Sequence, residues 1–400
     1  MVSIVSIRRR TFLTGTAGAL AAATQMRSGA AVHAQEAAAP KPLPDYVGLK
    51  NPDALIVHSA NTIETKREFI GTSGITPNSI AFVRNNLQPP EASVVQNADK
   101  WEVSFEGVAN PRAITLAELK TMGVFTVATV LQCSGNGRAL FDHKASGTAW
   151  ETGAAANVLW SGVPVRTVVE ALGGAAQAAK FMTSTGGEAL PEGVDPKTVV
   201  VERSVPIDYA LENAILAWEM NGVPVPLAHG GPLRVVTPGY YGVNNVKYVK
   251  RVALTEAETD AKIMASGYRV RPVGVEGEPS QPSMWEMKVK SWVTSPLADA
   301  ASGKLQIHGV AFGGFNALKS VEVTVDGGGT WQPAELLGPE MGRFAWRPFV
   351  LMADLAPGKH VIASRATDSE GRVQEETTEP NHRGYDYSGW RRLAVEVTLA

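Results

Sequence analysis

The chain has 400 residues, 37 Lys and Arg against 39 Asp and Glu, a net charge of −2 and a single cysteine. The near-neutral balance argues against nucleic acid as a partner, and one cysteine excludes an intrachain disulfide. No segment after the first 34 residues approaches the roughly 18 consecutive apolar residues of a membrane helix, so no membrane span is expected.

In chain order, residues 1–34 read as a twin-arginine export signal. Arg8-Arg9-Arg10 precede Thr11-Phe12-Leu13 and a short, mildly apolar stretch, and Val32-His33-Ala34 offers small residues for cleavage. The segment carries four arginines and no acid, so its removal takes the net charge to −6. The expected location is periplasmic, by an export route that carries folded and often cofactor-loaded proteins. Residues 35–50 form a leader, Pro- and Ala-rich in its first part and expected to be extended or mobile. From 51 to 272, strand-like and helix-like pieces alternate. Thr115 and Glu118 have capping-box spacing and open a short helix. Val124 to Leu131 reads as a buried strand, and Val165 to Leu172 as a helix stopped by Gly173-Gly174.

Residues 273–284 are rich in Pro and Gly and read as a linker. From 285 to 400 strands dominate: Val289 to Val293, Leu305 to Val310, Val321 to Val325, Val361 to Arg365 and Arg392 to Val397. Asp326 to Gly329, Ala356 to Gly358 and Asp368 to Gly371 are turn signals between them. Short strands at this spacing predict an immunoglobulin-like sandwich. The expected fold class is therefore α+β, a mixed α/β domain followed by an all-β one.

The cysteine lies in Gln132-Cys133-Ser134-Gly135-Asn136-Gly137-Arg138, directly after the buried strand. Small residues there let something bulky approach the backbone. An unpaired thiol in an oxidising compartment is either a small buried hydrophobe or a thiolate held for chemistry, with Arg138 nearby to favour the anion.

This loop resembles the cysteine loop of the sulfite oxidase family of molybdenum enzymes, in particular bacterial sulfite dehydrogenases, and further elements recur through both domains. The resemblance implies that Cys133 binds molybdenum carried by molybdopterin. Arg84 in Ala81-Phe82-Val83-Arg84-Asn85-Asn86, Arg138, and Arg383 in Asn381-His382-Arg383-Gly384 fall on substrate-pocket arginines. Tyr268 in Ser266-Gly267-Tyr268-Arg269 falls on the active-site tyrosine, and Trp150 on a pocket tryptophan. His229, Arg234 and Lys247, spaced by five and thirteen, fall on the groups that hold the cofactor phosphate. Asn86 stands where relatives commonly have His. It can hydrogen-bond a cofactor but does not titrate near neutral pH.

The activity implied is oxidation of sulfite to sulfate. One cysteine cannot supply a Cys-x-x-Cys-His haem site, so no intrinsic haem is expected and a c-type cytochrome is the implied electron acceptor. The second domain of the family often carries a dimer interface, so a homodimer or a complex with the cytochrome is implied. Rivals within the superfamily are a sulfane dehydrogenase of thiosulfate oxidation, a methionine sulfoxide reductase, which lacks the second domain, and nitrate reduction. A secreted immunoglobulin-like binding protein would leave the Cys133 loop without a purpose.

Overall fold

The computed structural model describes residues 41–400; the expected export signal and the first part of the leader lie outside them. Tyr46, Val47 and Lys50 of that leader pack against the rest of the chain. Val47 is buried with Leu55, Ile63, Val83 and Ala228, and Tyr46 donates to the Ala60 carbonyl at 2.8 Å.

The apolar run before the cysteine forms the strand Phe125–Gln132, buried from Ala128 onward and exposed at Phe125. It pairs antiparallel along its whole length with Ala155–Pro164, which pairs with Ile215–Met220. That third strand takes Val223–Pro224 and Arg234–Val236 as further partners. A second sheet has the order Arg112–Thr115, Glu102–Glu106, Val249–Thr255, Phe181–Gly186, Glu202–Pro206. Short helices Val165–Ala171 and Ile207–Asn213 contribute to the apolar core that joins residues of both sheets. The cap on the helix Leu116–Lys120 is as the sequence predicts, with Thr115 Oγ1 accepting from the Glu118 amide at 3.2 Å. A small sheet of Leu55–Ser59, Thr62–Thr65 and Val83–Arg84 brings Arg84 to a strand end.

The last part of the chain is all-β. Lys290–Ser295, Gly303–Phe312, Arg347–Leu355 and Glu335–Leu336 make one four-stranded sheet. Gln332–Pro333, Leu318–Thr324, Gly358–Asp368 and Val395–Leu399 make the other. A shared core that includes Val293, Ile307, Val323, Phe349 and Ile362 draws on both sheets. The chain is thus a mixed α and β part followed by an all-β part, in the expected order.

From Lys41 onward the chain is one compact unit, and its two parts share an interior. Ile70, Val130, Phe141 and Tyr241 of the first part belong to the same buried cluster as Trp292, Phe312, Trp346 and Tyr385 of the second. Burial of that much aromatic surface makes the junction a core rather than a loose contact.

Candidate active site

Cys133 directly follows its strand and lines a cleft. Its loop is tied at both ends. The Cys133 amide donates to the Ala154 carbonyl and its carbonyl accepts from the Asn136 amide, both at 2.9 Å. The Asn136 side chain closes the turn, donating to Gln132 Oε1 and accepting from the Ala154 amide, both at 3.0 Å. Beside the thiol, Ser134 Oγ is buried with no partner. A Cβ at Gly135 would lie 2.3 Å from Arg138 Nη2, so the guanidinium folded back over the loop fills the space a side chain there would take.

The structure gathers Arg84, Asn86, Cys133, Tyr268, His229, Arg234 and Lys247 around one cleft. Arg84 is bonded to the Asn85 carbonyl and to Asn86 Oδ1. Arg138 and Arg383 do not line that cleft; they meet each other beside the cysteine loop. Arg138 Nε donates to the Arg383 carbonyl at 2.9 Å and Nη1 to the Thr148 carbonyl at 2.6 Å. Arg383 Nε is buried without a partner. Among the described residues none of Arg84, Arg138 and Arg383 forms an ion pair. Guanidinium groups held this way, without a carboxylate, are suited to a small anion.

Trp150 departs from its expected pocket role. It is fully buried, edge-on to Phe82 and His58, in the apolar cluster that backs Cys133. It does not line the Cys133 cleft.

At the other end of the cleft His229, Arg234 and Lys247 converge, and a fourth basic residue joins them. Lys50 Nζ lies 2.8 Å from His229 Nε2 and donates to the Asn78 and Ala81 carbonyls at 2.6 Å each. While Lys50 is protonated it has no lone pair, so Nε2 accepts and the imidazole proton sits on Nδ1. Burial holds His229 well below the usual histidine range, helped by Lys50, Lys247 and Arg234. Burial lowers Lys50 to about 7 and Arg234 to about 9. Lys247 is also held well below the usual lysine range by burial and by Arg234. Its Nζ donates to Asn85 Oδ1 and the Ala228 carbonyl at 2.6 Å each. Arg234 donates to the His229 and Asn245 carbonyls at 2.6 and 2.8 Å, while its Nε stays buried and unpartnered. Glu188 also lines the cleft. Burial raises its carboxyl to about 7, and its Oε2 has no partner.

Bases depressed together, with orphaned donors on Arg234 and Ser134 and an orphaned carboxyl oxygen, make a site built for a ligand rather than for itself. The residues fit a cofactor with a phosphate at one end, N–H groups for Glu188 to accept from, and a metal for Cys133. Among the described residues no group of three or more His, Cys, Asp and Glu could hold a metal by itself, so the other ligands would come from the cofactor. Also among them, no helix is long and apolar enough to cross a membrane.

Sequence reasoning missed Lys50 and Glu188. Lys50 sits in the presumed leader with no motif around it. Glu188 offered one signal, the Gly186-Gly187 pair immediately before it.

Residues 90–263 match the oxidoreductase molybdopterin binding domain and residues 281–398 the Mo-co oxidoreductase dimerisation domain. The chain is 32% identical over 358 residues to the mitochondrial sulfite oxidase of Homo sapiens, covering 84% of this chain and 64% of that one. It is 31% identical over 351 residues to the sulfite oxidase of Gallus gallus, covering 82% and 74%. An inducible NADH nitrate reductase of Glycine max is 31% identical over 357 residues, 81% of this chain and 40% of that protein. In fold the chain is similar to the crystal structure of the sulfane dehydrogenase SoxCD from Paracoccus pantotrophus. The TM-score is 0.72 at 23% identity, over 93% of this chain and 95% of that one.

Proposed function

The chain belongs to the sulfite oxidase family of molybdopterin oxidoreductases, and from that premise we propose that it is an exported enzyme oxidising sulfite to sulfate. Sulfite takes one oxygen from water, releasing two protons and two electrons. The electrons leave singly to a c-type cytochrome. The observation that carries this reading is the meeting, around one cysteine, of arginines that have no carboxylate partner and a buried cationic cluster.

Bound in the cleft, a molybdenum–molybdopterin cofactor supplies the redox change and the oxygen transfer. Cys133 is the protein's ligand to the metal, a soft thiolate suited to it. His229, through its Nδ1 proton, and Arg234 and Lys247 hold the phosphate, while Glu188 accepts from ring N–H groups. Arg84, Arg138 and Arg383 attract and orient the sulfite dianion by charge-assisted hydrogen bonds. Tyr268 donates its phenolic proton as a hydrogen bond to an oxygen of the substrate. Asn86 braces Arg84 through its side-chain oxygen, and no proton transfer is assigned to it.

Exported protein should contain molybdenum by elemental analysis and reduce cytochrome c when given sulfite. Cys133→Ser should lose both. Molybdenum-free protein from a host that makes the cofactor would sink the proposal. Turnover with a sulfane sulfur but none with sulfite would move the enzyme to the sulfane dehydrogenases.

A further inference from the structure

Tyr385 is buried beside the predicted site and carries no assigned role. Its ring stacks on Tyr268 with centroids 5.0 Å apart and planes 5° from parallel. The Arg138 guanidinium carbon lies 5.4 Å from the centre of the Tyr385 ring and that of Arg383 6.0 Å. A third guanidinium, of Arg203, lies 5.7 Å from the Tyr268 ring. Two phenols and three cations therefore form one packed group, and Tyr385 is the member that lies against the active-site tyrosine and both arginines that meet beside the cysteine loop.

We propose that Tyr385 is a positioning residue of the oxyanion pocket, its ring setting the distance between Tyr268 and the arginine pair Arg138 and Arg383. The proposal rests on the oxyanion reading of the site above. Arg138 and Arg383 repel each other, and the face of an aromatic ring is a neutral group that attracts both. The stack leaves Tyr268 free to turn only within its own plane.

The main chain around Tyr385 is fixed accordingly. Asn381 Oδ1 accepts from the Tyr385 amide and Asn381 Nδ2 donates to the Tyr385 carbonyl, both at 2.8 Å. The next residue, Asp386, donates its amide to the Ser134 carbonyl in the cysteine loop at 2.9 Å. The preceding Gly384 has no room for a side chain, since a Cβ would lie 2.9 Å from both Arg138 Cγ and Ala145 Cβ. Anchors on both sides hold the ring against the arginines.

The test is sulfate binding by cofactor-free protein, measured by calorimetry, together with KM and kcat for sulfite in the loaded enzyme. Tyr385→Leu keeps apolar bulk and removes the ring. It should weaken sulfate and raise the KM by about ten-fold, the worth of a lost desolvated cation–π contact, with a smaller change in kcat. Tyr385→Phe should recover most of that affinity. If Tyr385→Leu fails to fold, as judged by near-ultraviolet circular dichroism, Tyr385→Met serves in its place.

Wild-type affinity in the folded Leu or Met variant would overturn the proposal. So would a Phe variant as weak as Leu, which would place the role in the hydroxyl. Wild-type protein that binds no oxyanion would overturn it as well. Protein that shows the expected sulfate pattern but never carries molybdenum would support Tyr385 and defeat the sulfite oxidase reading alone.

Discussion

A buried charge without a counter-charge is expensive, and the cleft contains several. Glu188 and the Lys50–His229 pair illustrate the two ways a side chain accommodates this. The lysine spends its three protons on two carbonyls and an imidazole nitrogen; the glutamate keeps its own proton up to about pH 7. The consequence for stability has a definite sign. Between roughly pH 4.5 and 7 the unfolded chain releases the Glu188 proton while the folded chain retains it, so this group makes the fold less stable as pH rises. Urea midpoints of cofactor-free protein should show Glu188→Gln gaining on the wild type across that interval and holding a constant lead above it. A lead that does not change with pH would show that Glu188 is ionised in the fold throughout.

At the scale of the element, the cysteine loop is a turn whose space is already taken by the arginine that follows it. Gly135→Ala should displace the Arg138 guanidinium and raise the KM for sulfite by about ten- to a hundred-fold, the worth of a charge-assisted hydrogen bond. Metal content should be unchanged because Cys133 keeps its own main-chain anchors. Loss of metal would mean that the loop itself had moved.

Elements with a local signature were legible in the sequence. The capped helix at Thr115, the helix ended by Gly173 and the strand into Cys133 all lie within a residue or two of expectation. Arg347–Leu355 was not legible, because Pro348 lies inside it and proline argues against a paired strand, yet it pairs along its length with Gly303–Phe312. The site divides in the same way. Cys133, His229, Arg234 and Lys247 stand in dense motifs. Lys50, Glu188 and Tyr385 reach the site through tertiary folding, and Trp150 reads equally as pocket wall or plain core because sequence cannot tell which side of a cluster a ring occupies.

For the whole molecule, the all-β part completes the site. Lys290 Nζ, fully buried and lowered to about 7 by that burial, lies 3.3 Å from Gln132 Oε1 and from the Asn136 carbonyl, one on each side of Cys133. Farther out, Arg67 of the first part donates to the Val293 carbonyl at 2.7 Å and to the Leu393 carbonyl at 2.6 Å. Arg67→Ala would leave both carbonyls without their donor. It should lower the unfolding free energy by about 3 kcal/mol, at roughly 1–3 kcal/mol for each buried group left unsatisfied. Denaturant unfolding checks this, and a single transition shifted as a whole is expected because the junction is core. A first transition confined to the all-β part would show that the two parts melt separately.

The hydrogen bond from the Asp386 amide to the Ser134 carbonyl joins residues 252 positions apart by number. The ribosome makes the cysteine loop well before the segment around Asp386 that braces it. A nascent chain that has emerged only through its first two thirds holds Cys133 but lacks Lys290, Arg383 and Tyr385. The finished pocket therefore cannot form until the chain has been made past Tyr385, and a cofactor that recognises the whole pocket must be taken up after that point.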